Sequence, residues 1–228
     1  AMPDRVWLLR AQQSRGVGAN AWRMSHNNYR ESVYSLADAM GTVVWDENRD
    51  LREMGLAAMN KMVRAHRHHA SVAVWSLCNE GECDFGMNKT THRRLVNKTI
   101  YSQFRNLTKN LDPHRAVSGN MFAEYGPGTL TDFLDLQGLS HPPISEITGS
   151  HEANLPTRRP QITSECCSCQ SQRGEDVGSA SQHHSPLPNA TFSQRQFSGF
   201  NSDCVQDTVN RSDSIPYVSG WCVWTLGD

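Results

Sequence analysis

Two glutamates stand where a short apolar run stops. Val72-Ala73-Val74-Trp75-Ser76-Leu77-Cys78 ends in Asn79-Glu80, and Gln161-Ile162-Thr163-Ser164 runs into Glu165, 85 positions further on. Short apolar runs bounded by polar residues read as strands buried on both faces. A carboxylate at the carboxyl end of such a strand is where a parallel α/β barrel keeps its reacting groups. Two of them can divide the labour of cleaving a glycosidic bond. One protonates the leaving oxygen, and the other attacks the anomeric carbon or activates a water. Asp46, Glu47 and Asp135 also stand near strand ends and compete for these roles. The plain alternative for Glu80 is that it starts a solvated loop.

The elements that must hold these acids follow from periodicity. An amphipathic helix is expected over 4–15, with Val6, Leu8 and Leu9 inward, ended by Gly16 and Gly18. Strands are expected at 19–24 and 42–46, separated by a helix over about 30–40 that stops at Gly41. A helix over about 54–67 leads to the strand at 72–77. A helix over 88–110, with an apolar stripe of Val96, Ile100, Phe104, Leu107 and Leu111, leads to a strand at 116–118. Strands are expected at 133–137, ending at Gly138, and at 161–164. Residues 141–160 and 170–191 read as loops, 193–211 as a helix and 217–224 as the last strand.

Alternation of strand and helix implies a parallel sheet with right-handed crossovers. The fold class is α/β, and the architecture is a (β/α)8 TIM barrel in which seven strands are legible. The first strand and last helix are not found, so the expectation is one partial catalytic barrel domain over 1–228, an interior piece of a longer chain. Open sheet edges would otherwise invite aggregation.

Composition narrows the partners. With 22 Lys and Arg against 23 Asp and Glu, the net charge is -1, and no basic stripe points to nucleic acid. No apolar run approaches the roughly 20 residues of a membrane span. Ala1-Met2-Pro3-Asp4-Arg5 does not read as a signal peptide. Five N-x-[ST] sequons, at Asn88, Asn97, Asn106, Asn189 and Asn210, favour a secretory-pathway or lysosome-like compartment. Asn88 and Asn106 fall on the outward side of their helix and are the glycosylation candidates. Seven cysteines include the cluster Cys166, Cys167 and Cys169. Their spacing fits no paired zinc motif and their connectivity is not readable; small packing residues or one local disulfide are preferred to a metal site. His66, His68 and His69, on a helix end running into a strand, are not expected to converge on a metal.

The local wording is more specific. Gly18-Ala19-Asn20-Ala21-Trp22-Arg23-Met24-Ser25-His26-Asn27 resembles the G-x-N-x-x-R-x-S-H segment of glycoside hydrolase family 2. Asp38-Ala39-Met40-Gly41-Thr42-Val43-Val44-Trp45-Asp46-Glu47 resembles that family's D-x-x-G-x-x-V-x-D-E segment. His69-Ala70-Ser71-Val72 through Trp75-Ser76-Leu77-Cys78-Asn79-Glu80 resembles its acid/base motif, H-P-S-V-x-x-W-S-L-G-N-E. Arg159-Pro160-Gln161-Ile162-Thr163-Ser164-Glu165 resembles its nucleophile strand, and Gly220-Trp221-Cys222-Val223-Trp224 its closing strand. The family includes β-galactosidases, β-glucuronidases and β-mannosidases. The segments occur in the family's order and cover nearly the whole chain.

The resemblance implies roles. Glu80 would be the general acid/base and Glu165 the nucleophile of a retaining two-step hydrolysis, with carboxyls about 5–5.5 Å apart. Asn79 would bond the sugar 2-hydroxyl. Arg23 would lie against Glu165 and keep it ionised, or could be an ordinary salt-bridging strand end. Trp224 would floor the sugar, and His26 would contact a sugar hydroxyl or cap the next helix. Trp75, midway along a strand, reads as core. The chain departs from the family at Cys78 for Gly, Ala70 for Pro and Cys166 for Tyr. His141 is the nearest match to the family's nucleophile-binding Tyr. The magnesium ligands of bacterial β-galactosidases have no match in Asn48-Arg49-Asp50-Leu51-Arg52, so no cofactor and no catalytic metal is expected. The N-x-K motif with which β-glucuronidases hold the sugar carboxylate is not evident, which tilts the substrate towards a β-galactoside. The expectation is therefore a retaining exo-β-glycosidase, β-galactosidase-like, with β-glucuronidase and β-mannosidase as alternatives. An inactive barrel serving as a binding module is the competing class. The remaining domains of the parent chain, and a second copy in a homo-oligomer, are its expected partners beside carbohydrate.

Overall fold

In the computed structural model the chain is described over residues 2–16, 18–49, 51, 53–80, 83, 98–121, 128–140, 160–166 and 218–223. Residues 53, 54, 161–166 and 218–223 are described through their backbone. The order is α1 (Asp4–Gly16), β1 (Ala21–Met24), α2 (Glu31–Met40), β2 (Val43–Glu47), α3 (Glu53–His66), β3 (Val72–Asn79), α4 (Lys98–Leu111), β4 (Ala116–Met121), a 3-10 turn (Leu130–Phe133), β5 (Leu136–Ser140), β6 (Gln161–Cys166) and β7 (Val218–Val223). The seven strands form one sheet in sequential order, and every neighbouring pair is parallel. That is the strand arrangement of the expected (β/α) barrel, with β1 and β7 its outer members among the described strands.

The local reasons are legible. Gly41 ends α2 in the left-handed region (φ 64°), with its N–H on the carbonyls of Ala37 and Asp38. Only a residue without Cβ adopts that geometry cheaply. Outside the sheet, Met59, Met62 and Val63 of α3 and Phe104 of α4 are buried together with Trp75, Leu77 and Val117. Each aliphatic or Phe side chain so buried contributes about 1.5–3 kcal/mol. Trp75 is core, as expected, and its indole N–H donates to Asp112 Oδ2 at 3.1 Å. Gly138 marks a close approach inside the barrel: a Cβ there would stand 2.6 Å from Gly119 O and 2.9 Å from the Trp45 ring.

Several expectations shift. Leu8 and Leu9 are exposed, and the buried residues of α1 are Ala11 and Ser14. The buried face of α4 is Tyr101, Phe104 and Thr108, while Ile100, Leu107 and Leu111 pack at its margin. Ala73 at the start of β3 is exposed, so only its carboxyl half, Trp75 to Asn79, is continuously buried. The strand expected at 133–137 lies three residues later. Thr129 caps a 3-10 turn by accepting from Thr131 N–H, and that turn absorbs Phe133. Gly138 is therefore inside β5 and does not end it. The helix expected over 193–211 and residues 88–97 lie outside the described residues. Asn106 is exposed on α4, whereas Asn88 lies outside the described residues.

Candidate active site

Strand register decides which side chains enter the barrel. Arg23 of β1 pairs with Trp45, and Glu47 pairs with Ser76. Successive strand residues face opposite ways. Arg23, Trp45, Glu47 and Ser76 therefore share the interior face, while Asp46 faces the helices. The contacts agree: Asp46 accepts from Tyr34 Oη at 2.7 Å and stands 2.7 Å from His66 Nδ1. Burial and the neighbouring Asp46 carboxylate hold the Tyr34 phenol well above its ordinary range. Asp135 is also structural, held by Arg105 and Lys109, each at 2.7 Å. Of the competing acids, Glu47 alone joins the interior network.

Simple alternation would aim Cys78 into the barrel and Asn79 out. The β3–β4 register prevents this. Ser76 pairs with Ser118 and Asn79 with Asn120, so three steps on β3 match two on β4. This bulge adds one residue and turns Asn79 to the interior, the way bulges re-aim side chains beside sites. β6 carries the same irregularity against β7, between Thr163 and Cys166, which spans Glu165.

The interior side chains form a continuous network. Arg23 donates through Nε (2.9 Å) and Nη2 (2.7 Å) to Glu47 Oε2, and both side chains are almost fully buried. Arg23 Nη2 also donates to Asn79 Oδ1, which accepts from Asn120 Nδ2 at 2.9 Å as well. With its oxygen used twice, Asn79 has its NH2 group left to offer a ligand. His26 Nδ1 stands 3.1 Å from Glu47 Oε1. The guanidinium also lies over the Trp45 ring, 5.3 Å from its centroid.

Glu80 follows directly, with a positive φ of 42°. Its carbonyl accepts from Cys83 N–H at 2.8 Å, and its Oε1 accepts from Ser140 Oγ at 2.6 Å. A disulfide joins Cys78 to Cys83 and so closes a covalent ring around Asn79 and Glu80. This accounts for Cys78 where the family has Gly. Ser140 pairs with Ser164 of β6, so the backbone of Glu165 lies at the strand end beside the residue that holds Glu80.

The structure thus brings together Arg23, His26, Asn79 and Glu80, and it supports them with Glu47, Asn120 and Ser140, which were not expected as site residues. Only Glu47 had a sequence signal, as the last residue of the D-E pair. Arg23 is shown against Glu47 and Asn79. The Glu165 side chain, Trp224 and His141 lie outside the described residues. Among the histidines, His66 goes to Asp46, but His68 and His69 both reach Glu31, contrary to the expectation that they would not converge.

Comparison with known proteins decides the family. The description "Glycosyl hydrolases family 2, TIM barrel domain" matches residues 49–166, just over half the chain. The chain belongs to glycosyl hydrolases family 2. Within this family, β-glucuronidase from Sus scrofa is 33% identical over 135 residues, which is 54% of the chain and 19% of that enzyme. β-Glucuronidase from Canis lupus familiaris is 38% identical over 78 residues, covering 29% of the chain and 12% of the enzyme. Among solved structures, an uncultured Clostridium sp. β-glucuronidase superposes with a TM-score of 0.72 at 18% identity, covering 100% of the chain and 41% of that protein. A family 2 β-galacturonidase from Eisenbergiella tayi, bound to galacturonate, gives a TM-score of 0.69 at 18% identity, covering 99% and 41%. The chain thus spans about a fifth of the length of the Sus scrofa enzyme and about two fifths of the Clostridium one.

Proposed function

We propose that the chain supplies the reacting groups of a retaining exo-β-glycosidase, with Glu80 as general acid/base and Glu165 as nucleophile. One observation carries this reading: the acid candidate and Asn79 sit at one strand end, ringed by a disulfide and held by Ser140, Arg23 and Asn120. In the first step Glu165 attacks the anomeric carbon while Glu80 protonates the departing oxygen. In the second, the Glu80 carboxylate takes a proton from water, which displaces Glu165 and releases the sugar. Asn79 offers its NH2 group to the 2-hydroxyl, where a bond that strengthens with charge at the anomeric centre lowers the barrier. Arg23, His26 and Glu47 stabilise that arrangement from the β1–β2 side.

The relatives shift the substrate reading. The sequence tilted towards a β-galactoside, whereas the similar proteins are named β-glucuronidase and β-galacturonidase. A terminal β-D-glucuronide is accordingly the first substrate to test and a β-galactoside the second. The test is a panel of nitrophenyl β-glucuronide, galacturonide, galactoside and mannoside with the intact protein. Turnover of one glycoside with retention of configuration, abolished by Glu165→Gln, is the expected result. Absence of turnover on every sugar would favour the inactive-barrel reading instead.

A further inference from the structure

His69 stands just ahead of β3, and Glu80 just after it. At roughly 3.3 Å per residue, the strand between them separates the two by roughly 25 Å. His69 is therefore remote from the candidate active site, yet its ring is unusually constrained. Nδ1 lies 2.6 Å from Asp38 Oδ2, and Asp38 Oδ1 accepts from Ser71 N–H at 2.7 Å. The Asp38 contact holds the ring through Nδ1 and leaves Nε2 as the ring atom on the side of Glu31 and His68.

That Nε2 is buried, 3% of His69 being exposed, and it makes no hydrogen bond among the described residues. Glu31 Oε1 stands 2.8 Å from it. His68 Nε2 is 3.1 Å from the same oxygen. The three ligand atoms all lie within 4.8 Å of one another. Two imidazole nitrogens, one of them buried and without an in-line bond among the described residues, and one carboxylate oxygen gathered this closely form a donor set for a cation.

We propose that Glu31, His68 and His69 bind one divalent transition-metal ion of the zinc class, with Asp38 as the outer partner of His69 and water completing the shell. Two imidazoles and one carboxylate suit zinc, and the carboxylate–histidine pair behind the metal is the usual device for orienting such a ligand. Donors at about 2.0–2.2 Å from a tetrahedral ion stand about 3.3–3.6 Å apart. The present separations from Glu31, 2.8 and 3.1 Å, need to open by less than about 1 Å, and Glu31 and His68 lie on the surface, where they can turn. The site joins the start of α2 to the segment entering β3. It acts on the scaffold and takes no part in the hydrolysis.

The test uses the intact protein, stripped with chelator and with free thiols blocked by N-ethylmaleimide. Zinc chloride is titrated calorimetrically, and cobalt chloride is followed by its visible four-coordinate spectrum. One equivalent should bind, and Glu31→Ala and His68→Ala should each weaken it at least tenfold while leaving glycosidase activity unchanged. Both substitutions are at exposed positions, so folding is not at stake. No zinc uptake by the wild type, or equal affinity in the wild type and both variants, overturns the proposal and leaves an ion pair only.

Discussion

Ser140 donates its hydroxyl hydrogen to Glu80 Oε1 across 2.6 Å, linking the end of β5 to the end of β3. Ser140 is buried and Glu80 half-buried, so the bond lies at the margin of the core. It fixes one rotamer of a side chain that has to meet a leaving oxygen.

Ser140→Ala should therefore act on kcat. A hydrogen bond to a charged group contributes about 1.5–3 kcal/mol, and loss of even the lower figure slows the chemical step about tenfold. KM should change little. The defect should be larger for an alkyl glycoside, which needs the proton, than for a dinitrophenyl glycoside, which does not. Equal loss on both leaving groups would mean that Ser140 supports the fold and does not position Glu80. Ser140→Thr, which keeps the hydroxyl, should recover most of the rate.

The Cys78–Cys83 disulfide closes a short ring that contains Asn79 and Glu80. Chain-entropy reasoning assigns a loop this short about 2 kcal/mol. Replacing both cysteines by Ser should lower the thermal midpoint by a few degrees and reduce kcat/KM. Mild reductant should reproduce the loss in the wild type and leave the double variant unaffected. A thiol titration that finds both sulfurs free in the native protein would remove the basis for this expectation.

How far these features were legible in the sequence depends on the kind of physics involved. The order of strands and helices was readable, because burial imposes periods of 2 and 3.6. The end of α2 was readable at Gly41 for its backbone freedom. The bulge that turns Asn79 inward was not, since it exists only as a mismatch between β3 and β4. Ser140 and Asn120 were invisible for the same reason: each matters through a residue on another strand. β5 was misplaced by three residues because Thr129 caps a 3-10 turn, a local bond that competes with an apolar pattern. Leu8 and Leu9 show the reverse error, apolar residues left outside.

Acid should unfold this domain through three aspartates. Burial pushes the Asp112, Asp135 and Asp38 carboxyls up. In each, stronger bonds outweigh it and hold the group below its usual 3.8: Arg115 and Trp75 at Asp112, Lys109 and Arg105 at Asp135, His69 and Ser71 at Asp38. A carboxyl depressed in the folded state stabilises above its unfolded value and loses that contribution as pH falls through its folded one. Stability by urea titration should thus be flat from neutral pH to about 5 and drop below about 4. Asp135→Asn should flatten the drop, and a variant with the same acid limb as wild type would show that Asp135 does not contribute.

The Arg23–Glu47 pair offers the sharpest test of the site's architecture. Both side chains are nearly inaccessible, at 4% and 0% exposure, so neither charge is solvated by bulk water. Removing one partner strands the other, at a cost of about 3–5 kcal/mol. Glu47→Leu should therefore destabilise the protein by about that amount, release His26, and free the Arg23 guanidinium that donates to Asn79 from its fixed position. Activity should fall more than the folded fraction does. Adding Arg23→Met removes the stranded charge, and the double variant should regain stability relative to Glu47→Leu while staying impaired, because Asn79 then keeps Asn120 but loses Arg23 as a donor. If the double variant is no more stable than the single one, the cost lies in packing around Trp45 and the pair is not the electrostatic anchor of the site.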